Sequence, residues 1–135
     1  MIQTIQQKRA RFALEKVQAH VAGPVNKKEY KARANSFPAM IRTNGLGPAA
    51  AFYLSKSSSK NDPHGYHYHL LSEWLTLEND VFQCGDVGLM AAITRSDMHT
   101  YRVAQVEALL LLEWVAKFAR AFAVTPTQGK TEAGS

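Results

Sequence analysis

Cysteine is nearly absent from this 135-residue chain, since Cys84 is the single example and no disulfide can form within the chain. Such usage is typical of proteins from a reducing cytoplasm. Long hydrophobic runs are lacking as well, because the leucine-rich run Ala108–Leu112 ends at Glu113 and is far too short to span a bilayer. The basic N-terminal residues are not followed by an apolar segment of the secretory type. We therefore expect a cytoplasmic protein that does not enter the membrane.

Motifs for catalysis and for cofactor binding are also missing. Neither GxGxxG nor GxxxxGK[ST] occurs, and the two glycines of Asn44–Gly47 follow no strand pattern. Serines cluster in the polar segment 55–59, which is a poor support for a catalytic triad. Cys84 has no nearby basic residue to activate its thiol. The sequence therefore predicts no catalytic residue, no cofactor and no enzymatic activity.

One cluster nevertheless resembles a metal site. Asp62, His64, His67 and His69 fall within eight residues, and imidazoles with a carboxylate can bind zinc, nickel or copper. The spacing is not that of a helical HExxH motif, and no second cluster of cysteine or histidine completes a ligand set. We interpret the segment as a polar loop that leads into a helix, without a metal. The alternative is a metal-dependent nuclease that uses His64, His67 and His69.

Positive charge is in excess, and it is unevenly distributed along the chain. Residues 1–60 contain eleven Lys or Arg and two acidic residues, a balance of +9, whereas residues 61–135 contain five basic and nine acidic residues, a balance of −4. This asymmetry suggests one face for a polyanion and another for different partners. The predicted RNA-binding residues are Lys27, Lys28, Lys31, Arg33, Arg42, Lys56 and Lys60.

These cations can neutralise phosphates without reading base identity. Among nearby aromatic residues, Tyr30 and Tyr53 could stack on bases, whereas we expect Phe52 to belong to the core. No RNP motif or KH loop is evident, so sequence-specific readout has no support. Two alternatives stay open at this point: a solvated surface with a chance imbalance of charge, or a helical adaptor that binds only protein.

Apolar residues recur with helical spacing, and no stretch alternates in the manner of strands. We predict an all-α, single-domain compact bundle of five to seven helices over residues 1–124, followed by a disordered tail, 125–135. The predicted helices are Ile2–Val21, a helix capped by Asn26 that Pro38 interrupts, a short piece Ala39–Thr43, then Pro48–Lys56, Tyr66–Leu77, Val87–Ile93 and Met98–Ala123. The final helix is apolar around most of its circumference, which predicts that it is central.

Charged residues inside apolar arcs predict a buried ion pair. Glu107 lies on the apolar side of the final helix, and Arg9 and Lys16 lie within the apolar arc of the first helix. An unpaired buried carboxylate is costly. We therefore expect a structural ion pair between Arg9 and Glu107, or failing that between Lys16 and Glu107.

Three segments resemble a known family. They are Gln3–Val17 (QTIQQKRARFALEKV), Phe37–Tyr53 (FPAMIRTNGLGPAAAFY) and Tyr101–Ala121 (YRVAQVEALLLLEWVAKFARA). In their order and spacing they resemble the small subunit of the type III-B CRISPR–Cas effector, the Cmr complex. The middle segment, Ser55–Cys84, does not carry a comparable pattern.

This resemblance implies a function that composition alone does not give. It implies a non-catalytic subunit, present in several copies that stack in a ribonucleoprotein filament, with the other backbone and large Cmr subunits as partners. Its basic face would border the guide RNA and target RNA and contact their backbone. Guide pairing would supply the sequence specificity, and other subunits would cleave the target.

Overall fold

The computed structural model describes residues 3–59, 62–83, 85 and 87–124. Its elements in chain order are α1 (Ile5–Val21), α2 (Lys27–Asn44), α3 (Leu46–Lys56), α4 (Pro63–Glu73), a π-helical turn (Trp74–Glu78), α5 (Leu89–Arg95) and α6 (Met98–Phe122). No strand occurs among these described residues. The predicted all-α bundle is thereby confirmed, while the predicted tail 125–135 lies outside the described residues.

The first two helices begin at side-chain caps. Thr4 accepts a hydrogen bond from the backbone N–H of Gln7, whose side chain in turn accepts from the Thr4 N–H, so α1 begins with a capping box. Asn26 accepts from the N–H of Glu29 and caps α2, as the sequence predicts. α1 begins at Ile5, whose side chain is about half exposed.

The predicted break at Pro38 is wrong, because α2 continues from Lys27 to Asn44 with Pro38 inside it. Proline removes one backbone donor and normally costs a helix about 3 kcal/mol. Here both halves of the helix are held by their neighbours. Phe37 stacks on Tyr53 of α3 at 3.9 Å between ring centroids, and Ile41 is completely buried. Tertiary packing therefore outweighs the local preference.

A sharp corner at Gly45 separates α2 from α3. Its φ of 92° lies in the left-handed region that favours glycine. α3 begins directly at Leu46, earlier than predicted, and Pro48 lies in its first turn. Gly45 offers no side chain as a cap, but α6 supplies two acceptors. The N–H of Leu46 donates to Gln105 Oε1 at 2.9 Å, and the N–H of Gly47 donates to the Tyr101 hydroxyl at 2.7 Å.

α4 begins at Pro63, so residues 63–65 are helical and the predicted loop is shorter than expected. Asp62 caps the helix by accepting from the N–H of Gly65 and also accepts from Ser58 and Ser59. A Cβ at Gly65 would lie 2.0 Å from the carbonyl oxygen of Ser59, so the preceding loop passes directly against this glycine.

α6 is the central element, as predicted. It packs against α1 and α2 along its length and also touches α3, α4 and the π-helical turn. Its inward face is small or aliphatic: Ala104, Ala108, Leu111, Leu112, Val115 and Ala119 are buried. The helix is not buried on all sides, however, because Val103, Val106 and Leu110 face the exterior. No helix in the described part of the chain is long and apolar enough to cross a membrane.

Candidate nucleic-acid interface

The N-terminal turns of α2 present three lysines. Lys28 is exposed, and Lys27 and Lys31 are partly exposed. At 100° per residue their spacing places them within an arc of about 100° on one side of the helix. Within the described residues none of the three forms a salt bridge. They are therefore available to a polyanion, and the adjacent helix N-terminus adds to the favourable potential.

The two arginines of the predicted set are engaged by carboxylates. Arg33 Nε lies 3.1 Å from Glu29 one turn earlier on α2. Arg42 Nη2 lies 2.6 Å from Glu113 of α6, with both side chains about half exposed. An exposed pair such as Arg42–Glu113 contributes about 0–1 kcal/mol, so a phosphate can compete for Arg42. Arg33 is less exposed, and its Nε atom is buried. Five of the seven predicted cations are therefore three lysines without a salt bridge among the described residues and two arginines that pair with carboxylates.

Lys56 is the last residue of α3, and its Nζ lies 5.5 Å from the centre of the Phe52 ring one turn earlier. It lies at the far end of α3 from the Gly45 corner. Lys60, the remaining predicted cation, lies outside the described residues.

The expectations for the aromatic residues are reversed by the structure. Tyr30 and Tyr53 are completely buried and cannot stack on a base, whereas Phe52 is 38% exposed. Tyr53 faces inward because its hydroxyl donates to the carbonyl oxygen of Arg33 and its ring stacks on Phe37. Phe52, one residue earlier on the helix, turns outward. The sequence could not decide which of two adjacent aromatic rings faces the core.

All three histidines of the cluster lie on α4, including His64, which was predicted in the loop before the helix, and the three do not converge. His67 is completely buried, and its Nε2 lies 3.2 Å from the carbonyl oxygen of Tyr30. His64 contacts Phe52 and Tyr53 edge-on, and helical spacing turns His69 well over 100° away from both other imidazoles. No group of three potential metal ligands was found among the described residues.

A buried stack of rings holds the start of α2 in place. Tyr66, His20, Tyr30 and His67 follow one another with centroid distances of 3.9, 4.8 and 4.6 Å. Burial lowers the pKa of His67 to about 3 and also lowers the pKa of His20, so both rings are neutral near pH 7. Because Tyr30 lies between Lys28 and Lys31, this stack fixes the backbone that carries the lysines. No sequence pattern indicated it.

The buried carboxylate of Glu107 accepts hydrogen bonds on both of its oxygen atoms. Arg9 donates through Nε and Nη2 at 2.5 and 2.9 Å, and Trp74 Nε1 donates at 2.9 Å. The predicted partner Arg9 is therefore present, while Lys16 instead pairs with Glu73 at 2.9 Å. The role of Trp74 was missed, since an indole in an apolar pattern gives no sign of its hydrogen bond.

A second surface feature is an apolar stripe on α6 formed by Val103, Val106 and Leu110. Val106 is 59% exposed, and the other two side chains are more than 40% exposed. At its C-terminal end a groove of about 480 Å³ lies between α6 and the start of α1. Such contiguous apolar exposure is typical of a protein-binding surface.

Comparison with known proteins agrees with this architecture. Residues 5–122 match the family described as CRISPR-associated protein (Cas_Cmr5). The fold is similar to the crystal structure of a CRISPR-associated Cmr5 family protein from Thermus thermophilus, with a TM-score of 0.67 and 26% sequence identity. That match covers 90% of this chain and 98% of the solved chain.

Proposed function

The chain belongs to the CRISPR-associated Cmr5 family, whose members are subunits of the Cmr complex, and we propose that it acts there as a non-catalytic small subunit in antiviral defence. In this proposal several copies stack in a cytoplasmic type III-B ribonucleoprotein filament. A basic face of each copy contacts the backbone of the guide and target RNA. Other subunits supply sequence recognition and cleavage.

The observation that carries the RNA-binding part is the set of unpaired lysines on α2. Lys27, Lys28 and Lys31 share one side of a helix whose N-terminus is fixed by the Asn26 cap and by the buried ring stack. Ammonium groups on a rigid scaffold can neutralise phosphates without contacting bases. This is the chemistry that a subunit needs when base pairing supplies specificity.

A different feature supports the protein-binding part. The apolar stripe lies on α6, whereas the lysines lie on α2, so the two surfaces share no residue. We propose that this stripe faces a neighbouring subunit of the filament. Val106→Glu should then reduce incorporation into the complex without weakening RNA binding by the isolated chain.

The alternative of a metal-dependent nuclease has less support. The three imidazoles do not converge, and burial of His67 together with its Tyr30 contact leaves little space for a metal there. A helical adaptor that binds only protein would not require the lysines of α2.

A salt titration of RNA binding by the full chain tests the proposal. For single strands the slope of log affinity against log salt is about −0.7 per phosphate neutralised. Changing Lys27, Lys28 and Lys31 to Ala should therefore flatten the slope by about 2. The control is the double change of Lys8 and Arg11 to Ala, which removes exposed cations of α1 outside the predicted set. Equal slopes for the wild type and the triple variant, alone and in the assembled complex, contradict the assignment.

A further inference from the structure

Phe52 is an exposed aromatic ring in polar surroundings. Its side chain is 38% exposed on α3, with Lys56 over the ring and the imidazole of His64 6.2 Å away in an edge-on arrangement. Burial lowers the pKa of His64, so this neighbour is neutral near pH 7. The segment that follows α3 contains Ser57, Ser58 and Ser59.

The charges around this ring leave one cation free for a ligand. Arg33, Glu29, Asp62 and Lys56 all act electrostatically on His64. Glu29 is paired with Arg33, and Asp62 is engaged by the backbone of Ser58, Ser59 and Gly65. Lys56 contacts only an aromatic face among the interactions described for it. The cluster therefore combines a partly exposed aromatic ring with one positive charge that forms no salt bridge among the described residues.

This combination suits a nucleotide better than a protein surface. Protein-binding patches are contiguous and apolar, as the α6 stripe is, whereas the neighbours of the Phe52 ring include the ammonium group of Lys56 and the imidazole of His64 beside the ring of Tyr53. The other exposed large apolar side chain of α3, Leu54, lies about 160° around the helix from Phe52. A single ring flanked by a cation can hold one unpaired base and the phosphate attached to it.

We propose that Phe52 is a stacking platform for an unpaired RNA base, with Lys56 moving from the ring face to the neighbouring phosphate. The inference rests on the proposed RNA-binding function and adds a base contact to the phosphate contacts of α2. Because every base has a π-face, the contact is tolerant of sequence. It therefore agrees with a subunit that leaves recognition to guide pairing.

The test uses the full chain and two single-stranded RNAs of eight nucleotides. One is an oligoadenylate with a central 2-aminopurine, and the other has the same backbone with abasic positions. Phe52→Leu should weaken binding of the oligoadenylate by about fivefold or more and reduce the change in 2-aminopurine fluorescence that binding causes. It should leave binding of the abasic RNA and the salt slope unchanged. Phe52→Tyr should restore both signals.

A matched control is available at the end of α6. Phe122 at the end of α6 is 42% exposed, close to the exposure of Phe52, so Phe122→Leu removes a comparable ring elsewhere. It should behave as the wild type with both RNAs. Thermal melting of each variant monitors folding, and the abasic RNA reports whether phosphate contacts survive.

Several outcomes would overturn the proposal. If Phe52→Leu keeps the wild-type affinity and the wild-type fluorescence signal of 2-aminopurine, stacking is excluded. If it loses as much affinity for the abasic RNA as for the oligoadenylate, the substitution acts through a change in structure. Loss of association with other subunits while RNA binding is retained assigns Phe52 to a protein contact. If the wild type shows the expected salt slope but binds the oligoadenylate no better than the abasic RNA, the stacking site is rejected and the proposed phosphate binding is not. Absence of salt-dependent RNA binding in the wild type rejects the proposed function together with it.

Discussion

Arg9 of α1 binds Glu107 of α6 through two parallel hydrogen bonds, although the two residues lie 98 positions apart in the sequence. Both side chains are about nine-tenths buried, and Trp74 donates a third hydrogen bond to the same carboxylate. The pair therefore joins the first helix, the central helix and the π-helical turn at one point.

Removing the charge at this point should strongly destabilise the fold. We expect Glu107→Gln to lower the free energy of unfolding by about 3–5 kcal/mol, because the guanidinium of Arg9 is then left buried without its counter-charge. Urea denaturation measures the effect. The control is Glu113→Gln, which breaks a half-exposed pair with Arg42 and should cost about 0–1 kcal/mol. Equal costs for the two variants would show that the buried pair has no special role.

The cap that α6 supplies to α3 gives a second prediction. Tyr101→Phe removes the acceptor for the N–H of Gly47 and should cost about 0.5–2 kcal/mol. Tyr30→Phe is the matched control, because the buried Tyr30 hydroxyl has no hydrogen-bond partner among the described residues. That control should be neutral or slightly stabilising, since it removes a buried unpaired polar group. Thermal denaturation of both variants decides whether the cap contributes.

The buried histidines predict a loss of stability in mild acid. The pKa of His67 is about 3 in the folded chain and about 6.5 in the unfolded chain, and burial is the cause. Between these values the unfolded state binds more protons, so stability is complete above pH 6.5 and falls as the pH decreases. The slope is at most about 1.4 kcal/mol per pH unit for each such histidine. His20 acts in the same direction.

Urea denaturation at pH 7, 6 and 5 measures how the free energy of unfolding depends on pH. In this range the protonation of carboxylates contributes little to that dependence. His67→Phe should flatten it, provided the variant folds at pH 7, and His20→Phe gives an independent check at the neighbouring ring. The control is His99→Gln, which removes an exposed histidine of α6. A profile that stays steep in both buried-site variants would assign the acid loss to other groups.

A further prediction concerns the histidines of α4. Tag-free protein should not cleave RNA or DNA in the presence of magnesium, manganese or zinc, because His69 is turned well over 100° away from His64 and His67 on α4. His64→Gln combined with His69→Gln should leave complex assembly and target cleavage intact. His67 is changed separately to Phe, since its replacement also affects the core. Metal-dependent cleavage that disappears in these variants would favour the nuclease.

The sequence alone was sufficient for the class of fold, because helix boundaries depend on local chemistry. Asn26 and Asp97 cap their helices through side chains that reach the backbone three residues later, and Gly45 ends α2 because it tolerates a positive φ. The Arg9–Glu107 pair could also be predicted from the sequence, because a charged residue in a buried apolar arc requires a counter-charge. These inferences need only helical periodicity and short-range hydrogen bonding.

Contacts between distant helices decided what the sequence left open or predicted wrongly. Pro38 remains helical because Phe37 and Ile41 are held by neighbouring elements. The energy of this tertiary packing cannot be read from the residues next to Pro38 in the sequence. Phe52 and Tyr53 are adjacent and both aromatic, yet packing against Phe37 buries one and exposes the other. The histidines of α4 cluster in the sequence, but His69 lies about 140° to 160° around the helix from His64 and His67, so the three imidazoles do not share one face. The candidate RNA surface therefore depends on which faces the bundle buries, and burial is a property of the whole packed chain rather than of any single segment.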